Sequence, residues 1–198
     1  IMNYYLEHNL YLGNLSLSAG ILGSRNNEFT PAWNVYPGID LSYRFLGPLR
    51  IYGSYNRSLR LPTFTDLFYE GPSNTGNPDL KPESMNNYEG GFKWDSQTMQ
   101  GYISFFYYDA DNIIAWIRHS SRNMTWKTRN LTELVNRGIE FSTTINIDQI
   151  IESSIPLKQV KLNYTGMDQD KITNSFESKY ALNYLKHNLG IHVAGRLK

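Results

Sequence analysis

The stretch RLPTFTDLFYEGPSNTGNPDLKPE, residues 60–83, decides the fold. It holds Pro62, Pro72, Pro78 and Pro82, four of the eight prolines in the chain. Each proline fixes φ and removes a ladder donor, so no central strand runs through it. Phe64, Phe68 and Tyr69 make it too aromatic for a disordered linker. A long, shaped loop is expected here.

On both sides of this loop the sequence alternates with period two. Upstream, Leu15, Leu17, Ala19 and Ile21 oppose Ser16, Ser18 and Gly20, and Ile39, Leu41, Tyr43 and Phe45 oppose Asp40, Ser42 and Arg44. Downstream, Ile139, Phe141 and Ile145 oppose Glu140, Ser142 and Thr144. Val160, Leu162 and Tyr164 oppose Lys161, Asn163 and Thr165, and Leu189, Ile191 and Val193 close the series. Helical periodicity is nowhere sustained.

About nine strands are expected, near 4–12, 15–23, 38–46, 49–58, 86–94, 100–109, 136–147, 157–168 and 185–196. Their connections alternate. Gly13-Asn14, Gly47-Pro48 and 95–99 are short, whereas 24–37, 59–85, 110–135 and 169–184 are long and 148–156 is intermediate. Tight turns on one side and long loops on the other, with strands of ~9–11 residues, predict an all-β antiparallel transmembrane barrel. On that reading Leu17, Leu41, Phe141 and Leu162 face lipid, and Ser16, Ser42, Ser142 and Asn163 face the lumen. Tyr4, Tyr5, Trp94, Tyr107, Tyr108 and Trp116 are expected at strand ends, as interfacial girdles. A soluble β-sandwich, such as a carbohydrate-binding module, also alternates, but gives little reason for long loops on one side only.

Composition agrees with this class. The 198 residues carry a net charge of +1, are 14% aromatic and 19% charged, and contain no cysteine. Mean hydropathy is −0.47, so hydroxyl and amide groups supply the polarity. A disulfide scaffold, thiolate metal sites and a bulk polyanion-binding field are excluded. No run approaches the ~20 apolar residues of a membrane helix. The opening Ile1-Met2-Asn3-Tyr4 reads as mid-strand and not as a signal peptide.

Two motifs flank the proline-rich loop. NRSLRLPTFTDLFY, followed by GNPDLKPESMNNYEGGFKW, resembles a signature region of TonB-dependent outer-membrane receptors. The matching residues are Arg60, Pro62, Thr63, Asp66 and Leu67, then Gly76, Asn77, Leu80, Lys81, Pro82 and Glu83. YPGIDLSYRFLGPLRIYGSYNRSLR and NRGIEFSTTI are also similar to family segments. The resemblance implies a strand-loop-strand insert on the extracellular side. Pro62 and Pro82 would stiffen its two ends, and Gly76-Asn77 would supply a turn tolerant of positive φ. Arg60, Asp66, Lys81 and Glu83 would neutralise one another at the rim.

The resemblance also implies an N-terminal plug, a TonB-contacting segment and a closed barrel of about 22 strands. Residues 1–198 hold no plug-like segment. They read as part of the barrel's C-terminal half, partial at about nine strands. The function implied is TonB-energised uptake of a scarce nutrient chelate, cobalamin or a ferric siderophore. LRLPTFTDLFY and YYDADNIIAWI, similar to segments of cobalamin receptors, tilt the choice to cobalamin. A passive porin or adhesin barrel is the alternative within the membrane class.

Chemistry is sparse. His187 and His192 lie on opposite strand faces, so with His8 and His119 they predict no metal site. Asp109-Ala110-Asp111-Asn112 opens like a calcium loop, but Ile114 and Ser120 stand where its glycine and glutamate should be. No nucleophile elbow or phosphate loop is present, and neither an enzyme nor a cofactor is expected. The one basic cluster, RHSSRNMTWKTRN at 118–130, suits a solvated loop, lipopolysaccharide phosphates or an anionic ligand better than nucleic acid. The ligand-contact candidates are therefore Phe68, Tyr69, Trp116, Arg118, Arg122, Trp126 and Arg129. The expected partners are TonB, outer-membrane lipid and the chelate itself.

Overall fold

The computed structural model describes residues 1–27, 30–118, 125–151, 156–171, 177–179 and 185–196. In chain order the elements are β1 (Met2–Leu12), β2 (Leu15–Asn26), β3 (Thr30–Leu46), β4 (Leu49–Arg60), helix α1 (Phe64–Phe68), β5 (Asn74–Thr75), β6 (Glu83–Asp95), β7 (Met99–Arg118), β8 (Trp126–Asn146), a 3-10 turn (Ile147–Gln149), β9 (Leu157–Lys171), β10 (Glu177–Ser178) and β11 (His187–Gly195). Nine long strands form one sheet in the order β1-β2-β3-β4-β6-β7-β8-β9-β11, each antiparallel to its neighbours. The dyads β5 and β10 attach to β8 and β7. The nine expected strands are all present.

Register turns the alternation into two faces. Reading across all nine long strands, Leu12, Leu15, Tyr43, Ile51, Phe92, Ile103, Phe141, Tyr164 and Leu189 are successive register partners. The adjacent row is Tyr11, Ser16, Ser42, Tyr52, Gly91, Ser104, Glu140, Thr165 and Asn188. One face is thus an unbroken apolar belt and the other is polar. The belt is the exposed side: Phe105 is 53% exposed, while its polar-face neighbour Ser104 is 1% exposed. A sandwich would bury the apolar face and wet the polar one, so that alternative fails. On the belt, Tyr55, Tyr88 and Tyr107 form an in-register aromatic row, with ring centroids 5.0 and 6.2 Å apart. Trp94 stands toward the turn end of the same face.

Several expectations change. The segments 24–37 and 110–135 are not simply loops. β3 starts at Thr30, β7 runs to Arg118 and β8 begins at Trp126, because hydrogen-bonded pairing continues beyond the apolar stretch. Period-two hydrophobicity marks only the part of a strand that crosses lipid, so alternation underestimates strand length. For the same reason Tyr107 and Tyr108 lie within β7, and only Tyr107 joins the girdle. Tyr108 turns to the polar face and stacks on Phe106 with centroids 4.9 Å apart. Trp116 also lies off the girdle, buried at 7% exposure on the polar side.

Candidate functional site

Residues 60–83 fold into a compact knot over the polar side of the β7–β8 hairpin. Pro62 brings the chain off β4, and Thr63 caps α1. The Thr63 Oγ1 accepts from the Asp66 N–H at 3.2 Å, and the Asp66 Oδ2 accepts from the Thr63 N–H at 3.1 Å, a reciprocal capping box. Sequence reading missed this helix because its one turn is too short to show a 3.6 period, although Thr-x-x-Asp was a start signal. Arg60 closes the base. Its guanidinium donates to Glu83 Oε1 at 2.8 Å and to Asp66 Oδ2 at 3.4 Å, and both carboxylates are nearly buried. Lys81, expected in this charge cluster, forms no ion pair among the described residues. Asn130 instead holds its backbone, accepting from the Lys81 N–H and donating to the Lys81 carbonyl, each at 2.9 Å.

The knot docks through groups far away in sequence. The buried Thr128 hydroxyl donates to the Asp66 carbonyl at 2.7 Å, across 62 residues. Asn77 N–H donates to the same carbonyl at 2.9 Å. Glu83 Oε1 also accepts from Ile114 N–H at 2.8 Å. Leu67 and Leu80 pack with Ile114 in a small core cluster. The Gly76-Asn77 turn, expected to tolerate positive φ, does not use that freedom, since among the described glycines only Gly13 and Gly47 have positive φ. The role of Gly76 is close approach: a Cβ there would stand 2.7 Å from the Leu67 carbonyl oxygen. Arg60, Thr63, Asp66, Leu67, Gly76, Asn77, Leu80, Lys81 and Glu83 therefore build or fasten one insert. Thr128, Asn130 and Ile114, its receptors, carried no sequence signal.

Next to the knot, β5 and β10 bring more side chains to the loop end of the hairpin. Tyr69 meets Trp116 edge-on at 6.1 Å, and Lys179 Nζ lies 5.9 Å from the same indole. Arg118 stacks on Trp126 at 4.5 Å and pairs with Glu177 at 2.6 Å. The structure thus gathers Tyr69, Trp116, Arg118 and Trp126 into one patch. Trp116 lies beneath it. Phe68 is exposed at 53% and packs at a tilt against Phe64, with ring centroids 5.1 Å apart. Arg129, at an odd position of β8, stands on the opposite face from Trp126. Arg122 lies outside the described residues. Such a patch can bind by stacking, cation–π contact and ion pairing, without covalent chemistry.

The sequence profile of the family described as "TonB dependent receptor-like, beta-barrel" matches residues 1–195. The chain belongs to this family. It is a family of receptor-like β-barrels, and the match spans the knot and the strands on both sides of it. A vitamin B12 transporter, BtuB, of Photobacterium profundum is 25% identical over 160 residues, covering 79% of this chain and 26% of that protein. The chain spans about a quarter of the length of the curated relatives it matches. Among solved structures, the siderophore receptor PirA from Pseudomonas aeruginosa superposes with a TM-score of 0.68 at 19% identity, covering 85% of this chain and 32% of that one. A ferric enterobactin receptor (PfeA) mutant from the same organism gives 0.63 at 18% identity, over 83% and 26%. At these identities the structural likeness shows the barrel fold.

Proposed function

We propose that this chain is wall and rim of a bacterial outer-membrane receptor, from the C-terminal half of its barrel. The receptor captures a scarce nutrient chelate on the loop side and passes it inward with energy delivered through TonB. Cobalamin is the preferred cargo and a ferric siderophore the second. The observation that carries this reading is the loop-end patch, where Tyr69, Trp126 and Arg118 converge above a polar face while the opposite face is a lipid-width apolar belt. The aromatic content of that patch suits a broad, flat apolar ligand surface, and the vitamin B12 transporter likeness points the same way. Arg129 and the outward end of β8 face the outer leaflet, where lipopolysaccharide phosphates would meet them.

Binding decides between cargoes. Cyanocobalamin titrated into the detergent-solubilised receptor carrying this chain is expected to quench tryptophan fluorescence saturably at micromolar concentration or below. Trp126→Ala should weaken that binding about tenfold, ~1.4 kcal/mol, and Arg129→Ala, on the other face, should leave it unchanged. Binding of a ferric siderophore instead, with affinity falling as salt rises, would move the cargo to the anionic class. Binding of neither would overturn both cargo assignments.

A further inference from the structure

Three cations stand side by side on the polar face near the short-turn end of the sheet. Arg44 is the register partner of Arg50, and Arg50 of Lys93. Register partners lie ~5 Å apart at Cα. All three alternate with the belt residues Tyr43, Ile51 and Phe92, so all three project from the polar side. Among the described residues the ion pairs engage Arg60, Arg118, Arg137 and Lys158, and none engages this ladder. Lys93 Nζ lies 4.2 Å from the Tyr52 ring centroid, a contact that supplies no countercharge.

The acids near the ladder form no ion pair with it. Glu89 faces the same side on β6, but its Oε1 already accepts from the Tyr52 hydroxyl at 2.9 Å and the Ser104 hydroxyl at 2.7 Å. Asp95 shares a recess of about 350 Å³ with Arg44, Arg50 and Lys93, and Asp40 a second of about 220 Å³ with Arg50 and Lys93. Neither forms an ion pair with the ladder. Like charges directly opposite on a sheet destabilise it, and two guanidinium forks with an ammonium are suited to a shared oxyanion.

We propose that Arg44, Arg50 and Lys93 form an oxyanion-binding site on the inner wall of the barrel, taking a carboxylate or phosphate group. Two sources supply that chemistry: an acidic side chain of a protein segment seated in the barrel, or a free phosphate-class solute. The site rests on the fold and register, and stands or falls independently of the cargo.

The sign of one substitution tests it. If the ladder has no anion, neutralising two of its charges relieves repulsion, and the barrel melts at the same temperature or higher. If an oxyanion bridges it, neutralisation removes the bridge and the barrel melts lower. The receptor carrying this chain is compared in detergent with its Arg44→Gln/Arg50→Gln form, with and without inorganic phosphate at fixed ionic strength. Saturable phosphate stabilisation that weakens at least tenfold in the variant, but not in an Arg25→Gln control, assigns the site to a free solute. No phosphate effect, but a lowered midpoint restored by Arg50→Lys, assigns it to a protein carboxylate. An unchanged or raised midpoint with no phosphate effect overturns the site, as does phosphate stabilisation that is equal in both proteins. If the double variant does not fold, Lys93→Gln is read by the same criteria.

Discussion

Asp66 shows how much one residue can carry in this fold. Its carboxylate caps α1 and receives Arg60, and its carbonyl receives Thr128 and Asn77. It therefore joins the insert's own geometry to the β8 wall. Gly76 is the complementary case, a residue valued for lacking a side chain. Gly76→Ala would press a Cβ onto the Leu67 carbonyl, which cannot move without breaking the Gly76-to-Tyr69 and Asn77-to-Asp66 hydrogen bonds. The substitution is expected to destabilise the insert by about 1–3 kcal/mol while leaving the barrel intact. Amide exchange should then accelerate across 60–83 and stay unchanged in β3 and β9. Equal acceleration everywhere would show that the insert is not a separate unit.

At the scale of the strand, the two faces make opposite demands. Leu162 on β9 pairs with Thr143 and Ile191 on the belt side, and Asn163 pairs with Ser142 and Gly190 on the polar side. Arginine at a lipid-facing midplane position costs about 2–4 kcal/mol, whereas a lumen position accepts the charge. Leu162→Arg should therefore lower the unfolding free energy in bilayers by more than Asn163→Arg does, reaching about 2–4 kcal/mol if Leu162 lies near the midplane. Chemical denaturation of the two variants in lipid vesicles checks this, and equal losses would contradict the membrane orientation of the sheet. Strand length also lives at this scale. β7 and β8, of 20 and 21 residues, exceed the ~9–11 needed to cross a bilayer, and their excess is what carries the knot and the patch.

Over the whole molecule, the apolar side chains of the belt lie outside, and both β1 and β11 are edge strands with one neighbour each among the described residues. Leu189, Ile191 and Val193 on β11 are 67%, 61% and 66% exposed, so the belt reaches the sheet's edge undiminished. An open edge beside an exposed apolar face templates pairing with another chain. Residues 1–198 expressed by themselves are thus expected to associate in detergent-free buffer. Sedimentation velocity would detect the association, and a stable monomer in water would contradict the membrane-facing belt.

The sequence by itself determined which segments are strands, which side of each is apolar, and that 60–83 is a shaped insert of a recognisable kind. Those properties are local: the pleat sends neighbouring side chains to opposite faces, and proline and glycine act on their own backbone. Tertiary structure alone decided how far β3, β7 and β8 extend, because backbone pairing is indifferent to side-chain polarity beyond the lipid. It also decided that Thr128, Asn130 and Ile114 receive the insert, that Gly76 is needed for contact and not for φ, and that Arg129 leaves the patch its neighbours form. The alignment of Arg44, Arg50 and Lys93 belongs to the same class. Each of these depends on cross-strand register between residues far apart in the chain, which no single segment specifies.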